Sequence, residues 1–157
     1  MSVVLTRVDD RLIHGQVVVG WGQALVPDRI VLADDAVAEE QWEHDIYRAA
    51  VPPGIETAFV SVEEAARRFA EWDRAPERTL VLVGSIEACL RLCAAAPGVR
   101  AINLGGIHQA DDRRQRLPYL FLSESELAQL EGLEERGVTI VAQDLPTSPA
   151  VALDELA

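Results

Sequence analysis

Three short runs hold side chains able to do chemistry together: Asp9-Asp10-Arg11-Leu12-Ile13-His14-Gly15-Gln16, Gly84-Ser85 and Gly105-Gly106-Ile107-His108. In the first, a histidine follows an arginine by three residues and precedes a segment with helical spacing, whose opening amides favour an anion. An imidazole that titrates near neutrality keeps a neutral, nucleophilic fraction at pH 7, so His14 is the candidate nucleophile. Arg11 is placed to neutralise the oxygens of a transferring phosphoryl group, a reaction in which positioning and electrostatics supply most of the catalysis. Asp10 is expected to orient the ring, and Gly15 and Gln16 to cradle the phosphate. The ordinary alternative is a hydrogen-bonded structural histidine, and spacing alone leaves both readings standing.

The remaining runs are less specific. Gly105-Gly106 permits a backbone to approach a phosphate, or makes a tight turn. Ser85 lies on the same expected rim as a phosphate contact, yet its place before a helical segment suits an N-cap better than a nucleophile. Asp34-Asp35 resembles a ribose-binding acid, but Gly15, Gly20 and Gly22 do not make G-x-G-x-x-G, which counts against a nucleotide and leaves no cofactor implied. Cys89 and Cys93 fit neither C-x-x-C nor a two-pair zinc site, and His14, His44 and His108 are scattered, so no metal is expected. Asp111-Asp112 with Arg113, Arg114 and Arg116 reads as a solvated loop, or as a basic spot facing a phosphorylated partner.

The elements that must position these groups follow from pattern. The 157 residues suit a single domain over 1–157, and 49% apolar with 25% charged residues is ordinary globular usage. A formal charge of −12 repels a phosphate backbone and excludes nucleic acid as an expected partner. Apolar runs fall far short of the roughly 20 residues of a membrane span, and no secretory signal is evident, so the expected address is cytoplasmic.

Strands are predicted at Val3–Val8, Arg29–Ala33, Glu56–Val60, Thr79–Val83, Ala101–Leu104, Tyr119–Leu122 and Val138–Ala142. Helices are predicted at Gly15–Leu25, Ala38–Ala50, Val62–Trp72 and Ile86–Ala95, with capping-box spacing at Ser61/Glu64 and Ser123/Glu126. Ala150–Ala157 is expected as a last helical turn or a frayed tail. The alternation predicts an α/β fold: one open, mostly parallel sheet of about seven strands with helices on both faces. Sites in such sheets lie beyond the carboxyl ends of the strands, which brings the three runs, together with Asp34-Asp35 after the second strand, to one rim.

The segment Arg7 to Val17, with Trp21, Asp28 to Ala38, Ala50 to Gly54 and Ala101 to Gly106, resembles the enzyme IIB components of the mannose, fructose and sorbose family of the sugar phosphotransferase system. The resemblance implies an antiparallel edge strand in the sheet and a phosphoryl relay. Phosphoenolpyruvate is the ultimate donor, a phosphorylated IIA component donates to His14, and phospho-His14 donates to a sugar held by membrane IIC and IID components. It assigns Arg11 to charge stabilisation, makes Asp10 its loop neighbour, suggests Nδ1 as the phosphorylated nitrogen, and implies peripheral association with the membrane through IIC and IID. A homo-oligomer stays among the expected assemblies. The chain departs from the family pattern at Val83-Gly84-Ser85-Ile86 and at Ile107 to Asp112, which motivates an alternative: a regulatory binding module of the same fold without sugar transport.

Overall fold

The described residues of the computed structural model are 1–157, without the side chain of Gln16. Five apolar, β-branched runs form β1 (Val3–Val8), β2 (Arg29–Ala33), β3 (Glu56–Val60), β4 (Thr79–Val83) and β5 (Ala101–Leu104), each with the predicted bounds. Every residue of β4 is buried, as suits a strand near the middle of a sheet covered on both faces. The main sheet has seven strands in the order β3-β2-β4-β1-β5-β8-β9, where β8 is Thr139–Ala142 and β9 is Val151–Ala152. Pairings are parallel except at the edge, where β9 runs antiparallel to β8. The expected fold class is thus the observed one.

Helices cover both faces. On one side α4 (Val62–Arg74), α5 (Ile86–Ala95) and α6 (Glu124–Glu135) pack a large core containing Phe69, Trp72, Leu92 and Leu130. Serine starts each of the three: Ser61, Ser85 and Ser123 accept from Glu64, Ala88 and Glu126 amides, and Glu126 closes the capping box. On the other side a π-helical segment (Gln16–Trp21) continues into α1 (Gly22–Leu25), followed by α2 (Asp35–Glu39) and α3 (Gln41–Ala49). No described helix is long and apolar enough to cross a membrane.

Four expectations need correction. The helix foreseen over Ala38–Ala50 is two helices, because Asp34 caps α2 by accepting from the Val37 amide and Glu40 then adopts an extended backbone. The Tyr119–Leu122 strand is not in the main sheet: β7 (Leu120–Leu122) pairs antiparallel with β6 (Arg114–Leu117) in a separate hairpin. Arg116, expected in a solvated loop, has a side chain only 1% exposed, with its guanidinium on the carbonyls of Leu122 and Leu156 and on Glu124. The tail is neither helix alone nor frayed, since β9 leads into a 3-10 turn that buries Leu153 and Leu156.

The feature that positions the site is register. Val8 is level with both Val83 and Leu104, so residues 9, 84 and 105 leave the sheet side by side at its carboxyl rim. Backbone bonds from Asp9 to Val83, Gly105 to Val8 and Asp10 to Gly106 stitch these departures together.

Candidate functional site

The loop after β1 is organised around Asp9, whose side chain is fully buried. Its carboxylate accepts Nε and Nη2 of Arg11, both at 2.9 Å, and the Arg11 amide at 3.1 Å. Arg7, also fully buried, donates from Nη2 to Asp9 at 3.3 Å. Burying a charge is tolerable only when it is paired and hydrogen-bonded; the Nη groups of Arg7 find Asn103 and the carbonyls of Gln143 and Asp144, and only its Nε is left without a partner among the described residues. Trp21 completes this surround, its ring centroid 5.1 Å from the Arg7 guanidinium and its Nε1 donating to the Asp144 carbonyl at 3.0 Å. Burial pushes the Arg7 pKa down, against the pull of Asp9.

His14 stands at the edge of this cluster with 19% of its side chain exposed, and Nε2 lies 3.4 Å from Asp9 Oδ2. Burial would raise the Asp9 carboxyl, but bonds from His14 and Arg11 outweigh it and hold the group well below the usual carboxylate range. An ionised carboxylate only accepts, so the Nε2 proton faces Asp9 and the lone pair of the neutral ring belongs to Nδ1. Arg11 grips Asp9 side-on through Nε and Nη2, which leaves Nη1 outside the pair on a side chain 30% exposed. The pairing also pushes the Arg11 pKa up, so it is cationic at any physiological pH.

Local backbone shape makes this possible. Leu12 has φ 61°, the left-handed region that a branched side chain seldom adopts. A Cβ at Gly84 would lie 2.9 Å from the Leu12 side chain, so the glycine after β4 gives that turn its room. After His14 the chain enters the π-helical segment, an arrangement frequent at functional sites, and the Val18 amide donates to the His14 carbonyl at 3.0 Å. The opening turn sets positive partial charge beside the imidazole.

The structure sorts the other expected residues. Gly105 and Gly106 do provide close approach, but to the site's own side chains: a Cβ on Gly105 would come 2.7 Å from Asp9 Oδ2, and one on Gly106 2.9 Å from Arg11 Nε. Gly15 is exposed, with open space where a Cβ would stand. The Gln16 side chain lies outside the described residues. Ser85 is committed as the α5 cap, accepting from the Ala88 amide at 3.1 Å. Asp10 is a correction: the carboxylate that reaches the His14 ring is Asp9, while Asp10 turns the other way and takes the amide and Nδ1 of His108, each at 2.7 Å. Arg113 continues that rim, donating to the His108 carbonyl and bidentately to Glu126.

Asp9 and Arg7, which the structure places against Arg11 and His14, were not singled out from the sequence. The signal was there: two opposite charges at spacing two share one face of an otherwise apolar strand, and such a pair is buried together or not at all. The contribution of the Gln143-Asp144 backbone, 136 or more residues away, has no such local signal.

The comparisons with known proteins meet this geometry. The model of the PTS system sorbose subfamily IIB component matches residues 3–157. The chain belongs to this family. It is 26% identical over 147 residues to the fructose-specific EIIB component of Bacillus subtilis, covering 94% of this chain and 90% of that protein. It is 26% identical to the mannose-specific EIIAB component of Escherichia coli, where the match takes in 99% of this chain and 48% of the relative. Among solved structures, the IIBSor domain of the sorbose permease from Klebsiella pneumoniae superposes with a TM-score of 0.88 at 26% identity, covering 99% and 96% of the two chains. The chain is therefore a phosphotransferase-system IIB component.

Proposed function

We propose that this IIB component carries a phosphoryl group on Nδ1 of His14, taking it from a phosphohistidine of a IIA component and giving it to a sugar held by membrane IIC and IID partners. The observation that carries the reading is the ionised Asp9 carboxylate at His14 Nε2, which selects Nδ1 as the nucleophilic nitrogen. Nδ1 attacks phosphorus as the donor's N–P bond breaks, and the donor nitrogen leaves with the electron pair. The phosphorylated ring is cationic, and Asp9 at its remaining N–H stabilises that charge. Arg11, cationic and partly exposed, answers the phosphoryl oxygens. In the second step a sugar hydroxyl attacks phosphorus as the Nδ1–P bond breaks; the electron pair returns to Nδ1, leaving His14 neutral, and the hydroxyl proton passes to water. Gly15 and the helix amides beside it line the approach, and the reaction runs at the surface where IIB meets its membrane partners. That the match takes in about half of an EIIAB relative supports IIA as the donor.

A second reading is motivated by the rim built from Asp10, His108 and Arg113, which lies beside the loop. In that reading phosphorylation of His14 reports to a regulator and no sugar is carried. Both rest on the same first step, tested by passing labelled phosphate from phosphoenolpyruvate through the general carriers and the cognate IIA to wild type and His14→Ala. Acid-labile label on wild type alone is the expected result. Label retained by the variant, or none on wild type while IIA is labelled, overturns the proposal.

A further inference from the structure

At the opposite end of the sheet, before β5 and β8 begin, a cleft of about 210 Å³ opens between α5 and α6. Cys93 of α5 lines it together with Arg100, Leu133, Arg136 and Val138, and no carboxylate does. The spacing of four residues sets the buried Cys89 beside the half-buried Cys93 on one helix face, and the Cys89 thiol hydrogen-bonds to its neighbour. The arginines are set apart in a second way. Among the 14 arginines of this lysine-free chain, only the side chains of Arg74, Arg100 and Arg136 make neither hydrogen bond nor ion pair with described residues. Two of those three meet at this thiol, in a protein whose net charge of −12 repels anions almost everywhere else.

We propose that this cleft is a thiol-modification site, in which Cys93 reacts with small disulfides that carry carboxylates and Arg100 and Arg136 hold the carboxylates. The Cys93 thiolate attacks one sulfur of the small disulfide. A mixed disulfide forms, the original S–S bond breaks, and the other half leaves as a thiolate that takes up a proton. The supplied disulfide is the oxidant: the Cys93 sulfur rises to the disulfide level while the departing half is reduced to a thiol, and no other oxidant is needed. The last turn of α5 opposes an anion at this position. The Cys89 hydrogen bond and then Arg136 act the other way, and together they outweigh burial and hold the Cys93 thiol below its ordinary range. Cys89 is pushed up and serves as the donor rather than the nucleophile. The site shares no residue with the phosphorylation loop, so the proposal does not depend on the relay.

The test compares two disulfides on the whole folded protein: dithiobis(nitrobenzoate), which bears carboxylates, and uncharged dithiodipyridine. One fast adduct is expected, mapped to Cys93 by peptide mass and absent from Cys93→Ser. The exposed pair is then changed together, Arg100→Leu with Arg136→Leu, with circular dichroism as the check on folding. This variant should slow the carboxylate reagent by about tenfold while dithiodipyridine changes by less than about twofold. An adduct on Cys89, reaction only after denaturation, or equal slowing of both reagents overturns the assignment.

Discussion

The two faces of the sheet are built to different rules. On the face of α4, α5 and α6, helices of 13, 10 and 12 residues start at serine caps and bury continuous apolar stripes. On the other face the helical pieces are short and irregular, α3 buries none of its nine residues, and the apolar cluster is confined to residues such as Ile13, Val17, Trp21 and Val37. At the carboxyl end of that lighter face the interior is given to Arg7 and Asp9 instead of aliphatic groups. The difference separates two jobs. One face supplies non-directional burial, while the other holds a few charges in a single arrangement, which apolar packing cannot specify.

The sharpest way to break this comparison is Asp9→Asn. Removing one partner of a buried ion pair leaves the Arg7 charge uncompensated and is expected to cost about 3–5 kcal/mol in urea unfolding. Phosphoryl transfer should slow as well, because the amide no longer compels a proton on Nε2. The sign with pH is fixed. The folded carboxyl titrates below its unfolded value of about 3.9, so the stability it contributes is present above that pH and is lost as pH falls through the folded value. Wild type should therefore lose stability below about pH 5 more steeply than the variant; parallel acid limbs would sink the account of Asp9.

Leu92→Ala makes the converse cut on the other face. A cavity under α5 is expected to cost about 2–5 kcal/mol while the transfer rate per folded molecule stays at the wild-type value. Slower transfer at constant folded fraction would show that the two faces are not separable. The smallest effect is expected of Ser123→Ala, which removes the side-chain acceptor of the α6 capping box. It should lower the urea midpoint by about 1 kcal/mol in free energy without changing the slope or the transfer rate.

Legibility in the sequence divides along the same line. On the heavier face α5 has its predicted bounds, α4 runs two residues past Trp72, and only the start of α6 was marked, at Ser123, because caps and helical periodicity are local signals that agree with the tertiary packing. The lighter face was read less well. The break at Glu40 follows from Asp34 capping a short helix, which competes with a longer periodicity, and the helix foreseen over Gly15–Leu25 opens as a π-helical segment that spacing does not signal. Within the loop, residue type made His14 and Arg11 candidates, and the structure sets both against the Asp9 carboxylate. The carboxylate beside the ring was misassigned by one position, since Asp9 and Asp10 look alike until the turn after β1 sends one inward to His14 and the other to His108. The β6–β7 hairpin was hidden because Arg114 to Arg116 read as solvated charge, whereas Arg116 is covered by its own carbonyl partners.

Leu12 carries one more consequence. A non-glycine residue at φ 61° costs about 1–2 kcal/mol of backbone energy, sustained here by the fit of its side chain over Gly84. The Leu12 amide on the Asp9 carbonyl at 3.0 Å and the Arg11 amide on the Asp9 carboxylate at 3.1 Å hold that turn in place. In the relay proposed above, donor and acceptor would then meet the His14 ring in one pose, and the direction of exchange would be set by their relative phosphoryl potentials alone.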